Sequence, residues 1–177
     1  MRPTIEWVVL PAAMVSAPCA THAVQYLSVA AAQQAMFPGA TLTPADRRLT
    51  DAEHKAIETA SGVRGRGCQR DLKLWRVEGG GWFIVDEVIG KHEFITYALG
   101  LNADGSVKHI EVMDYRENYG AQVRDEKWRN QFRGKSHGAN LKLNDDIRNI
   151  SGATLSCRHL TDGVKRLLAT YEIVLKH

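Results

Sequence analysis

The sequence predicts a single α+β domain, an antiparallel β meander with helices packed on it, and three observations carry that prediction. Between Leu72 and Tyr115 the apolar residues recur with the period of strands and are punctuated by glycine-rich turns. Thr50-Asp51-Ala52-Glu53 has the spacing of a helix capping box. Near the C-terminus, Leu160, Val164, Leu167 and Leu168 form a stripe at intervals of three and four, as on one face of a buried helix.

Taken in order, Tyr26 to Met36 is rich in Ala and Gln and predicts a short helix that stops before Pro38-Gly39. The Thr50 hydroxyl and Glu53 carboxylate predict a second helix from Asp51 to about Thr59, ending at Ser61-Gly62. Leu74, Arg76 and Glu78 alternate with Trp75 and Val77, Gly79-Gly80-Gly81 makes a turn, and Trp82-Phe83-Ile84-Val85 begins the next strand. Phe94 to Leu101 and Val107 to Met113 flank Asn102-Ala103-Asp104-Gly105, a hairpin signal. Asp125 is placed to cap a short helix through Phe132, with Gly134 as its stop. The last helix, from Cys157 to Tyr171, is expected to begin just after Ser151-Gly152-Ala153-Thr154.

A chain of 177 residues with 44% hydrophobic and 24% charged residues is long enough for its own core and is neither fibrous nor disordered in composition. The net charge of +3 is spread along the chain. The densest basic stretch, Arg64, Arg66, Arg70, Lys73 and Arg76, reads as a solvated face, and no nucleic-acid partner is expected.

Residues 1–23 differ from the remainder: Arg2, then an apolar stretch from Trp7 to about Pro18, then small residues ending at Ala23. This is the layout of a secretory signal, so the expectation is a signal peptide or short uncleaved anchor over 1–23, a domain over 24–177, and a periplasmic or other extracytoplasmic location. Pro18 before Cys19 fits lipidation poorly. Cys68 and Cys157 either pair in an oxidising compartment or stay as two thiols. No CxxC, CxxCH or Cys/His zinc spacing occurs, which leaves haem attachment and a structural zinc site unsupported.

A Ser-Gly-Ala-Thr turn leading into a helix offers backbone N–H groups and hydroxyls to an anion, favoured there by the helix dipole. Gly152 lets the backbone approach a ligand without a Cβ in the way. On chemistry alone the same residues also serve as ordinary caps.

Ile150-Ser151-Gly152-Ala153-Thr154-Leu155-Ser156 resembles the signature of the FMN-binding domain family, found in the flavin subunits of sodium-pumping quinone reductases and Rnf-type electron transport complexes. Tyr115-Arg116-Glu117-Asn118-Tyr119-Gly120, followed by Gln131-Phe132-Arg133-Gly134-Lys135, is similar to two further motifs of that family, and the likeness spans roughly Trp82 to Leu168. The resemblance implies FMN as cofactor, an electron-carrying role, and a flavin held at Ser151, Gly152, Ala153, Thr154 and Leu155. It also implies attachment of the flavin phosphate to Thr154 by a flavin transferase, and redox donor and acceptor proteins, membrane-bound ones among them. One departure is plain: the transferase's usual pattern has an acidic residue six places before the Thr, where this chain has Arg148, with Asp145 and Asp146 displaced from it.

The remaining candidates carry alternatives. Glu117 either hydrogen-bonds the flavin N–H edge or pairs with Arg116 or Arg124. Gly120 either admits the ring or makes a turn, and Lys135 either neutralises the phosphate or is solvated. Tyr115, Tyr119, Trp128 and Phe132 either stack on the flavin or fill the core. The rivals to an electron carrier are an FMN-dependent reductase, with His92, His137 or Tyr119 as proton donor, and a flavin-free binding module on the same fold.

Overall fold

The computed structural model describes residues 27–64 and 69–176. The expectations for 1–23, for Cys19 and for the Cys68 to Cys157 pairing fall on, or depend on, residues outside that set.

The meander forms as expected. Strands β3 (Asp71–Val77), β4 (Trp82–Ile89), β5 (Phe94–Leu101) and β6 (Val107–Tyr115) are sequential antiparallel neighbours. Two short strands, β1 (Leu42–Pro44) and β2 (Arg47–Arg48), both pair with β3 and complete a six-stranded sheet. The longest register, Trp82↔Leu101 through Ile89↔Phe94, leaves Gly90 to Glu93 as a hairpin tip at one end of the sheet.

Helix α2 (Asp51–Ser61) begins with the full capping box, Thr50 and Glu53 each satisfying the other's backbone, and ends on Gly62 in the left-handed region. Helix α1 is shorter than expected, Val29–Met36, because the Ser28 side chain accepts from the Ala31 amide and starts it there. The Asp125 cap is a correction: α3 spans only Glu126–Arg129, Asp125 makes no side-chain cap bond, and a 3₁₀ turn, Asn130–Phe132, continues from it. Helix α4 (Thr154–Thr170) starts at Thr154 itself, one residue earlier than expected, and runs into a π-helical turn at Tyr171–Leu175.

Two apolar clusters lie on the two faces of the sheet. The larger gathers Leu74, Ile84, Ile95, Tyr97, Leu99 and Ile110 with Ile57 of α2 and Cys157, Leu160, Val164, Leu167 and Leu168 of α4. The smaller packs Ala32, Met36 and Phe37 of α1 and its end against Val77, Phe83, Ala98 and Met113. The long helix approaches β4 and β5 closely at Gly163, where a Cβ would stand 2.5 Å from the Tyr97 hydroxyl. There Arg166 is paired with Asp86, and the Tyr97 hydroxyl donates to the same carboxylate at 2.6 Å, all three being buried. With α4 so fixed, its N-terminus is held beside the β4–β5 tip and the loop that follows β6.

Candidate functional site

Those three chain segments enclose one cavity of about 350 Å³. Lys91 and His92 come from the hairpin tip, Glu117, Asn118 and Tyr119 from the loop after β6, and Gly152, Ala153, Thr154, Leu155 and Ser156 from the turn and first residues of α4. The size lies in the range of small-molecule sites.

The helix end is built to leave donors available. Its N-cap is Ala153, which has no side chain to satisfy the first turn, whereas the Ala153 amide bonds the Ile150 carbonyl and the Cys157 amide bonds the Ala153 carbonyl. The amides of 154–156 are therefore the orphan donors of the helix start, where the dipole favours an anion. Gly152 has φ +81° and nothing within 4 Å of where a Cβ would be, so the turn is open on the cavity side. The exposed Thr154 hydroxyl accepts a hydrogen bond from Asn149 Nδ2 at 3.1 Å. The same amide's Oδ1 is buried with no hydrogen-bond partner among the described residues.

Glu117 makes a contact within the protein that the sequence did not announce. Its Oε1 accepts from the amides of His92 (2.5 Å) and Glu93 (3.1 Å), so the carboxylate clamps the hairpin tip to the loop after β6. Arg116 pairs with Asp114 instead. Partial burial raises the Glu117 pKa, but the hydrogen bonds from the tip amides outweigh it and hold the carboxyl below its ordinary value. Gly90 makes the clamp possible, because a Cβ there would lie 2.5 Å from Glu117 Oε1.

Tyr115 is buried beneath the loop, its hydroxyl donating to the Tyr119 carbonyl at 2.5 Å and lying 3.2 Å from Ser156 Oγ. Burial raises its pKa and keeps the phenol protonated. Tyr119, which it positions, is 81% exposed at the cavity rim. Burial likewise pushes the Cys157 thiol up, away from reactive thiolate character.

Of the residues singled out from sequence, Glu117, Tyr119, Gly152, Ala153, Thr154 and Leu155 meet at this cavity, and Ser151 sits exposed in the turn beside it. Gly120 does not line it: at φ +89°, its missing Cβ would stand 2.5 Å from the Ala153 Cβ, so it seats the helix start. Lys135 is elsewhere, its Nζ bonded to Asp146 Oδ2 at 2.7 Å. That carboxylate also accepts from the Leu141 and Lys142 amides, and Asp145 accepts from Asn140. Arg148 lines a separate cleft with Gln122, Asp125 and Trp128. Trp128 and Phe132 form an edge-to-face pair in the core. His92 is at the cavity, whereas His137 is exposed beside Lys165 at another depression.

Lys91, Asn118, Ser156 and Asn149 were not foreseen. A Gly-containing turn between the runs ending at Ile89 and starting at Phe94 was the available signal for Lys91; Ser156 lies inside the quoted motif.

Residues 90–169 match the family model of the FMN-binding domain. That segment belongs to the FMN-binding domain family. It begins at the Gly90 clamp and closes near the end of α4, so it contains every residue lining the cavity. FMN is the cofactor of the family, and the site fits it on two counts: uncapped amides at the start of α4 and an open Gly152. No curated protein matches the chain.

Proposed function

We propose that the protein is an exported FMN-carrying electron-transfer protein, its flavin held at Ser151–Thr154 and joined through the phosphate to Thr154. The observation that supports this best is the exposed Thr154 hydroxyl, in the first residue of α4 and at the wall of the cavity, with no capping side chain competing for the amides around it.

The amides of 154–156 would bind the phosphate oxygens, and Lys91 at the opposite wall would add a cation. Tyr119 and Leu155, exposed large side chains at the rim, would cover an aromatic ring and exclude water from one side of it. Glu117 and Tyr115 would act at one remove, by fixing the tip and the loop that present these groups. When bound, FMN supplies one- and two-electron redox chemistry, and the protein supplies orientation and tuning. Electron donor and acceptor proteins, soluble or membrane-bound, would dock near the rim through small, transient contacts. Export rests on the signal-like residues 1–23.

A second reading, an FMN-dependent reductase, is favoured by one feature: His92 lines the cavity and is a candidate proton donor.

Intact mass of protein co-expressed with a flavin transferase, compared with Thr154→Ala, tests the proposal. A gain of one FMN minus water, absent from the variant, is expected. A yellow protein of bare mass would overturn covalent attachment; a colourless one of bare mass would overturn the redox role. Catalytic turnover of a small substrate lost in His92→Ala would favour the reductase.

A further inference from the structure

We infer that Asn149 is the positioning residue for Thr154, holding its hydroxyl as an acceptor so that the oxygen can take a phosphoryl group without losing its protein partner. This deepens the proposed attachment and rests on it.

The geometry is specific. Asn149 Nδ2 donates to Thr154 Oγ1 at 3.1 Å across five residues, from the segment that leads into the turn. That segment is itself fixed: the Arg148 amide donates to Gln131 Oε1 at 2.7 Å, and the Arg148 carbonyl accepts from Trp128 Nε1 at 2.7 Å. Asn149 is thus presented from a pinned backbone. A threonine at a helix start ordinarily turns its hydroxyl hydrogen towards a nearby acceptor, and a phosphoester, having no hydrogen, would forfeit such a bond. A hydroxyl that accepts keeps its bond, because an ester oxygen still has a lone pair.

The same donor assists the transfer. In the step, Thr154 Oγ1 bonds to the flavin-side phosphorus of a flavin dinucleotide, the phosphorus–oxygen bond to the pyrophosphate bridge breaks, and AMP leaves. The hydroxyl proton passes to a base of the transferase, and nothing is oxidised or reduced. Negative charge grows on Oγ1 as the proton departs, and an amide N–H aimed at that oxygen stabilises it. The unpartnered Oδ1 of Asn149, buried beside the reacting residue, marks the amide as more than a filler of its loop, since buried acceptors without a partner are uncommon.

The test is the rate of mass gain with a flavin dinucleotide and transferase for the wild type, Thr154→Ala, Asn149→Ala and Asn149→Gln. Thermal midpoints are recorded for each, and non-covalent FMN affinity is measured on the Thr154→Ala background with and without Asn149→Ala. Asn149→Ala is expected to slow transfer at least about tenfold, with little change in midpoint or in non-covalent affinity. Asn149→Gln, which keeps the donor, is expected to recover part of the rate. Transfer by Asn149→Ala within twofold of the wild type overturns the role of Asn149 alone. So does equal slowing in both variants in step with a falling midpoint, since that is loss of structure. A wild type that gains no mass overturns the attachment itself and this role with it.

Discussion

The carboxylate of Glu117 accepts the backbone amide of His92 at 2.5 Å, and this bond ties the tip of the β4–β5 hairpin to the loop after β6. Both walls of the cavity that face α4 depend on it. Glu117→Ala is expected to cost about 1 kcal/mol of stability, the net value of such bonds where water can replace them, and to weaken FMN binding more than that loss of stability explains. Because the folded pKa is depressed, the stabilisation is fully present above the ordinary value of 4.5 and is lost as pH falls through the folded value. Urea unfolding from pH 7 to pH 3 checks this: the wild type loses the increment in the acid range, and Glu117→Gln shows none of that loss.

Gly120 and Ala153 meet where the loop crosses the start of α4. A Cβ on Gly120 would stand 2.5 Å from that of Ala153 and 2.7 Å from the Tyr115 hydroxyl, on a backbone at φ +89°. Gly120→Ala therefore combines left-handed strain of about 1–2 kcal/mol with overpacking of about 1–3 kcal/mol. A lower urea midpoint and reduced FMN retention are expected together. A variant with wild-type midpoint and retention would show that the helix start is not seated by this contact.

Asp86 and Arg166 form an ion pair 5% and 2% exposed, with the Tyr97 hydroxyl on the same carboxylate. Removing one partner strands a buried charge, so Asp86→Ala is expected to cost about 3–5 kcal/mol, while Asp86→Leu with Arg166→Met costs less than Asp86→Ala alone. Burial, and then the Asp86 charge, hold the Tyr97 phenol well above its ordinary 10.0. Its contribution is therefore intact below that value and lost as pH rises through the folded one. Equilibrium unfolding of the three proteins, with ultraviolet titration of tyrosinate, measures both effects.

Much of this was legible in the residues, for reasons that can be named. The meander could be read because four strands of seven to nine residues carry enough alternation to fix their faces. Strands β1 and β2, of three and two residues, carry no period and form only because β3 offers an edge. Thr154 was singled out by the resemblance of residues 150–156 to the family signature, while local chemistry and the stripe on α4 gave only a helix start there. Lys135 was misplaced because a lysine after a glycine does not say which carboxylate it will meet, and Asp146 decides it through the fold of 136–147. The bonds from Glu117 to the tip amides were not read for the same reason: its partners lie 24 and 25 residues away, across the hairpin pairing of Ile89 with Phe94.

Helix α4 starts at the cavity wall and carries the buried Leu160, Val164, Leu167 and Leu168 through the middle of the core. Hydrogen-bonded amides in the buried middle of such an element exchange with solvent through openings that approach global unfolding. The floor of the site and the spine of the domain are one object, so a ligand gripping residues 154–156 pulls against global unfolding and not against a fraying loop. Loading should then slow hydrogen exchange deep in the sheet, at Tyr97 and Leu99 in the cluster they share with Val164, as much as at the cavity itself.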